Sequence, residues 1–286
     1  MPLTELMNYF NDQLQTQARV RSLPKTGFYK ADNVYWARFG SLTLGTDFHA
    51  INAWSKKQLM GYEAELVVRA STGNILDIDS IFNSLDSVDQ IVHLDRLVRT
   101  LHSLNYLQKF DGQNHLLSLH VQPRHIVSVN DDHGKIFESI LSDCGLKPER
   151  VILHTRLLDS ATLPHFNKAL SSYKSKGYKI GLSITHTSEL SLLANLGLEL
   201  DVIYIYHPAS EWLTNPKAAN AELAYLHPLE LYSSKRILVS KEILKRGEEN
   251  IKQGDFKTVD GIFDGYLISQ HEFSESFEKR QYVNYL

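Results

Sequence analysis

The chain has 286 residues, of which 43% are hydrophobic and 22% charged, so it is a globular sequence long enough for one large domain or two small ones. Its formal net charge of -3 offers no basic footprint for nucleic acid or an anionic membrane, and its single cysteine excludes an internal disulfide and a thiolate zinc site. No apolar run approaches the roughly 18 residues of a membrane span, and the N-terminal stretch, with Glu5 and Asn8, lacks a signal-peptide pattern, so a cytoplasmic protein is expected.

The first element is an amphipathic helix. Leu3, Leu6, Met7, Phe10 and Leu14 recur at helical spacing, Thr4 can cap, and Pro24 ends the region. Such a face has to dock, either on the body of the same chain or on a partner. Beyond it, apolar or alternating runs predict strands at residues 42–48, 62–69, 116–121, 151–155, 179–184, 202–206, 236–240 and 262–269. Helical patterns lie between most of them. The clearest is Val88, Ile91, Val92, Leu94, Leu97, Val98, Leu101 and Leu104; residues 136–141 are closed by Gly145, and residues 163–173 by Gly177.

Eight strands with intervening helices argue for a (β/α)8-type barrel, with a doubly wound open sheet as the alternative. Only 13 residues separate Phe48 from Tyr62, marginal for a parallel crossover. The first strand is therefore expected to run antiparallel to the second. In such a barrel chemistry sits at the C-terminal strand ends, which puts Arg69, His120, His154, Ser183, Tyr206 and Ser240 under inspection.

Common site patterns are missing. There is no phosphate-cradling G-x-x-x-x-G-K-[ST] loop and no G-x-G-x-x-G. Gly181-Leu182-Ser183-Ile184-Thr185 lacks the second glycine of a nucleophile elbow. Cys144 reads as a small buried residue, Asp131-Asp132-His133-Gly134 as a polar turn, and Lys235-Arg236 and Lys245-Arg246 as solvated charges. The informative segment is Gly61-Tyr62-Glu63-Ala64-Glu65-Leu66-Val67-Val68-Arg69. Residues two apart on a strand share a face, so Glu63, Glu65, Val67 and Arg69 point the same way. Carboxylates and a guanidinium on the inner side of a barrel are costly to bury without a role, a structural ion pair being the plainer alternative.

Here the chain resembles an EAL domain, the barrel that in its active form hydrolyses cyclic-di-GMP. Phe48-His49-Ala50-Ile51 resembles the family's opening F-Q-P-I, and Glu65-Leu66-Val67-Val68-Arg69 resembles E-A-L-x-R. Leu94-Asp95-Arg96 and Leu101-His102-Ser103-Leu104-Asn105 are similar to the helix that follows. Val151-Ile152-Leu153, Gly177-Tyr178-Lys179-Ile180-Gly181-Leu182 and Gly265-Tyr266-Leu267-Ile268-Ser269 are similar to framework strands. The resemblance implies an irregular (β/α)8 TIM-like barrel over residues 39–275, an N-terminal helical extension over 1–38 and a C-terminal tail over 276–286.

The departures fall where the family's chemistry sits. Active EAL domains hold two divalent cations through carboxylates and an asparagine; of those ligands the resemblance leaves Glu65. His120 stands at the asparagine and His154 at a ligand glutamate. Ser183-Ile184 replaces the aspartate pair, Tyr204 and Tyr206 replace a lysine and an aspartate, Ser240 lies near a glutamate, and Asp264 replaces a late glutamine. One glutamate cannot offset two hard cations.

Three readings follow. The first is a non-catalytic EAL-like regulatory protein in bacterial signalling, with no cofactor, no nucleic acid and no membrane, acting on an unidentified protein partner. It expects an interior plugged by Tyr204, Tyr206 or Ile184, and it makes the Leu3, Leu6, Met7 and Phe10 face a candidate docking element. The second is a metal-dependent hydrolase in which Glu65, His120 and His154 hold Zn²⁺ or another divalent metal, with His186 assisting. The third is an effector that binds cyclic-di-GMP without cutting it, with Glu65 and Arg69 in the ligand site.

Overall fold

The computed structural model describes residues 2–21, 23–53, 59–110, 114–129, 139, 141–184, 189–205, 236–240 and 265–269. Tyr206, Asp264, His186, the Asp131–Gly134 turn and the 276–286 tail lie outside them. Helix α1 (Leu3–Arg21) opens the chain, followed by β1 (Thr26–Ala31), β2 (Val34–Phe39), β3 (Leu42–Ala53), β4 (Leu59–Arg69) and β5 (Ile75–Leu76). Helices α2 (Ile78–Asn83) and α3 (Val88–Phe110) lead to β6 (Leu116–His120), α4 (Pro123–Ser128) and β7 (Val151–Arg156). The remainder is α5 (Leu163–Ser175), β8 (Lys179–Ile184), α6 (Glu189–Ala194), β9 (Val202–Ile205), β10 (Arg236–Ser240) and β11 (Gly265–Ser269).

All eight strands expected from the sequence are present in order, with the expected ends at 179–184 and 236–240, while residues 206 and 262–264 lie outside the described residues. Strands β4, β6, β7, β8, β9, β10 and β11 pair in parallel succession. Strand β3 is antiparallel to both β4 and β11, as the short 48–62 connection requires, so the pairings lead around these strands and return to β3. This mixed sheet fits the TIM-like barrel of the sequence reading. Helix-facing residues alternate with a second face: Leu117 and Leu119, Val151 and Leu153, and Ile180 and Leu182 are buried in the main core, whereas Ser118, His154 and Ser183 belong to the other face. Gly177 closes α5 at positive φ, and Gly145 is also at positive φ, although residues 136–138 and 140 of the helix expected before it lie outside the described residues.

Residues 1–38 are not helical throughout. After α1 comes the hairpin β1–β2, turned at Asp32 (φ 49) and Asn33 (φ 67). Two successive residues at positive φ make the tight turn whose twist matches paired strands, and Asp and Asn tolerate that region best. Strand β2 continues the sheet by pairing with β3. Side-chain amides fasten the hairpin. Asn105 of α3 accepts from the Tyr35 N–H at 2.8 Å and donates to the Tyr35 carbonyl at 2.8 Å and to Thr46 Oγ1 at 3.1 Å. It fills the gap where β2 parts from β3. Asn11 of α1 does the same for Phe28, at 2.6 Å and 2.9 Å. The Leu6, Met7 and Phe10 face of α1 is buried in the chain's own core, with Phe10 against Phe28, so the candidate docking element is used internally.

Candidate functional site

The face turned away from the helices gathers the expected site positions in layers. Its deep layer is apolar: Ile51, Ile152, Val202 and Tyr204 are buried together, with Met60 and Leu116 against them. Above lie Glu63, Ser118, His154 and Ser183, all buried. Tyr204 is 0% exposed, its ring stacked on His154 with centroids 4.3 Å apart. Its hydroxyl and that of Ser118 share a 2.6 Å hydrogen bond. Desolvation, with the charge of Glu63, pushes the phenol well above its ordinary value, so Tyr204 stays neutral.

His154 Nδ1 and Ser183 Oγ share a hydrogen bond of 2.9 Å, and the other ring nitrogen lies 3.3 Å from Glu63 Oε1. Burial, with neighbouring His120, holds the His154 imidazole well below its ordinary value. His120 faces His154 edge-on at 5.3 Å and keeps an exposed edge at the mouth. Crowding by protein on its other sides lowers its pKa as well, desolvation leading.

Glu65 does not join these histidines. Its carboxylate is 56% exposed and turns to His49 of β3, Oε2 to Nε2 at 2.5 Å. Burial works against the charged form of His49, but the hydrogen bond to Glu65 and the charges of Glu65, Glu63 and Asp47 outweigh it and raise the pKa. The carboxylate near His154 is therefore Glu63, two residues earlier on the same face. The proposed set of Glu65, His120 and His154 loses its acid to His49. Among the described residues no three His, Cys, Asp or Glu side chains come together to hold a metal ion. The two-cation site that the EAL resemblance implies finds no cage in them: Ser183 is bonded to a neutral imidazole, and Tyr204 fills the space alongside.

Ile184 is not in the site. It is 3% exposed in the main core, on the side of Ile180 and Leu182. Arg69 ends β4 in the stretch paired with β3 and β5, roughly 13 Å along the strand from Glu65. Its Nη1 donates to the Gly73 carbonyl at 3.1 Å. Ser240 closes β10, in register with Leu267.

One supporting network has no counterpart in the sequence reading. Asp95 of α3 accepts from Arg99 and from His125 of α4, and its other oxygen takes the backbone N–H of Gln122 at 2.8 Å. This anchors the chain two residues past His120. Burial disfavours the carboxylate, yet the charge of Arg99, that of His125 once acid protonates it, and the hydrogen bonds hold Asp95 well below the usual carboxylate range. The spacing of Asp95 and Arg99, four apart on a helix, was the available signal.

No family model and no curated protein sequence matches the chain. Solved structures do. A standalone EAL protein of Vibrio cholerae O395 in a cyclic-di-GMP-bound form is 16% identical with a TM-score of 0.60, over 81% of this chain and 97% of that one. Klebsiella pneumoniae BlrP1 with calcium and cyclic-di-GMP is 16% identical with a TM-score of 0.59, over 89% of this chain and 63% of that one. The Bacillus subtilis YkuI protein, with an EAL domain, in complex with cyclic-di-GMP and calcium is 14% identical with a TM-score of 0.55, over 82% of this chain and 58% of that one. The chain spans 54% to 63% of the length of the BlrP1 structures it matches. No helix among the described residues is long and apolar enough to cross a membrane. The chain has the fold of the EAL-domain proteins.

Proposed function

We propose that the chain is a non-catalytic EAL-fold regulatory protein of the signalling class to which its cyclic-di-GMP-binding neighbours belong, and that it acts by binding another protein. The observation that carries this reading is Tyr204, fully buried, stacked on His154 and bonded to Ser118. A cyclic dinucleotide and two cations need room and several negative ligands there, and beside the single buried carboxylate of Glu63 the described residues supply a phenol, a neutral imidazole and two serines. Tyr204 in that position supports an output that leaves through the surface.

The test pairs two measurements on the purified protein. Cyclic-di-GMP hydrolysis with Mg²⁺ or Mn²⁺ is expected to be absent, and titration calorimetry with Ca²⁺ is expected to give no heat. Turnover that disappears in Glu63→Gln would overturn the reading. Binding without turnover would move the assignment to a nucleotide effector. Native mass spectrometry of the protein isolated gently from its host should show a stoichiometric protein complex, and a bare monomer under conditions where the protein acts would count against it.

A further inference from the structure

Strands β1 to β5 form an antiparallel sheet whose two faces differ. On one, Phe28, Tyr35, Ala37, Phe39, Leu44, Leu66 and Val68 are buried, with Phe10 of α1 and His93 of α3 against them. Cross-strand partners share a face, so the register defines the other. Its outer row is Gly27, Arg38, Thr43, Arg69 and Ile75, one residue from each strand, about 19 Å from end to end. The next row holds Tyr29 opposite Trp36, and Gly45 opposite Val67.

This face is not built as a core. Ile75 is 66% exposed, Arg38 is exposed, and Tyr29, Trp36, Thr43, Val67 and Arg69 are half-buried. The Arg38 guanidinium lies 5.3 Å from the centre of the Tyr29 ring. Arg69 is steadied by the Gly73 carbonyl. Tryptophan, tyrosine and arginine are the side chains that dominate binding energy at protein interfaces, because each offers a large rigid surface with a polar edge.

Charge selects the occupant. Both ionic groups of the two outer rows are guanidiniums, and the row further in turns acidic with Asp47 opposite Glu65. A continuous polyanion laid across the face would meet those carboxylates. A polypeptide can place acid on the outer row alone and apolar side chains on the aromatic row.

We propose that this face, centred on Arg38, Tyr29, Trp36 and Ile75, docks an acidic, apolar-bearing segment of a partner protein. It rests on the protein-binding reading above and names the surface that reading needs. The test is selection of short random peptides displayed on phage, panned on the full chain and then measured against Arg38→Glu and Ile75→Glu. Both positions are exposed, so unchanged thermal melts serve as the folding control. Enriched peptides should combine Asp or Glu with aromatic or aliphatic residues and lose at least about tenfold in affinity for each variant. No enrichment, peptides without acid, or peptides that bind the variants as tightly as the wild type would overturn the proposal. Binding of oligothymidine that Arg38→Glu abolishes would overturn it in favour of a nucleic acid. Cyclic-di-GMP turnover by the same preparation overturns the underlying reading whatever the peptides do; peptide failure without turnover sinks this face alone.

Discussion

Tyr204 and His154 stack across an intervening strand. They belong to β9 and β7, and β8 between them contributes Gly181, in register with His154 on one side and Val202 on the other. A Cβ at Gly181 would lie 2.8 Å from Tyr204 Cε2 and 2.9 Å from His154 Cβ, closer than such atoms approach. The glycine is what lets the two rings meet. Gly181→Ala is accordingly expected to destabilise the protein by about 1–3 kcal/mol, although alanine suits a strand better than glycine. Urea unfolding decides it, and an unchanged midpoint would mean that the rings move apart freely.

Tyr204 itself separates packing from hydrogen bonding. Tyr204→Phe removes the hydroxyl that meets Ser118 and should cost about 1–2 kcal/mol. Tyr204→Ala also empties the stacked site and should cost about 3–5 kcal/mol. The two variants unfolding at the same denaturant concentration would contradict the assignment of the ring to the core of the interior.

Asn105→Ala should loosen the hairpin more than the rest of the sheet. It removes the bonds to both main-chain groups of Tyr35 and to Thr46, at a cost of about 2–4 kcal/mol with the buried groups left unpaired. In hydrogen exchange the amide of Tyr35 is expected to lose protection while those of β7 and β8 keep theirs. Uniform loss over all strands would show that the hairpin has no separate stability.

Acid should weaken the protein from mildly acidic pH downward. His102, His120, His125 and His154 are all held below the ordinary 6.5, chiefly by desolvation, and His102 falls to about 3. In the unfolded chain these imidazoles take up protons near 6.5, before their native counterparts do. Their contribution is thus complete above 6.5 and is lost as pH falls from there through each folded value, which for His102 is about 3. His49 has the opposite sign: its raised pKa contributes stability below 6.5 that is lost as pH climbs through its folded value. Asp95, held low, adds stability that persists above its unfolded 3.8 and is lost as pH falls through its folded value. Urea midpoints measured across this range should decline on acidification, and His102→Gln should flatten the slope. A flat wild-type profile below 6.5 would contradict the lowered pKa of these rings.

The order of strands was legible because each carries a run of apolar or alternating residues, and the antiparallel first strand followed from the length of one connection. The hairpin β1–β2 went unread although Asp32-Asn33 between two alternating runs is a local turn signal. Alternation also had the power to exclude Ile184, which continues the helix-facing series of Ile180 and Leu182. The choice between Glu63 and Glu65 was beyond such reasoning. Both share one face, and which of them reaches His154 depends on His49 taking the other across the β3–β4 pairing, a contact set by register between strands.

The grip of Asn11 on Phe28 has a wider meaning. Strand β1 ends the sheet, and an end strand offers its free main-chain groups to any other extended chain. By occupying the N–H and carbonyl of Phe28, the first helix acts as a stopper that keeps a second molecule from extending the ladder. Shortening the chain past α1, or forcing a fusion against it, would uncork that edge and turn a self-contained fold into a template for aggregation.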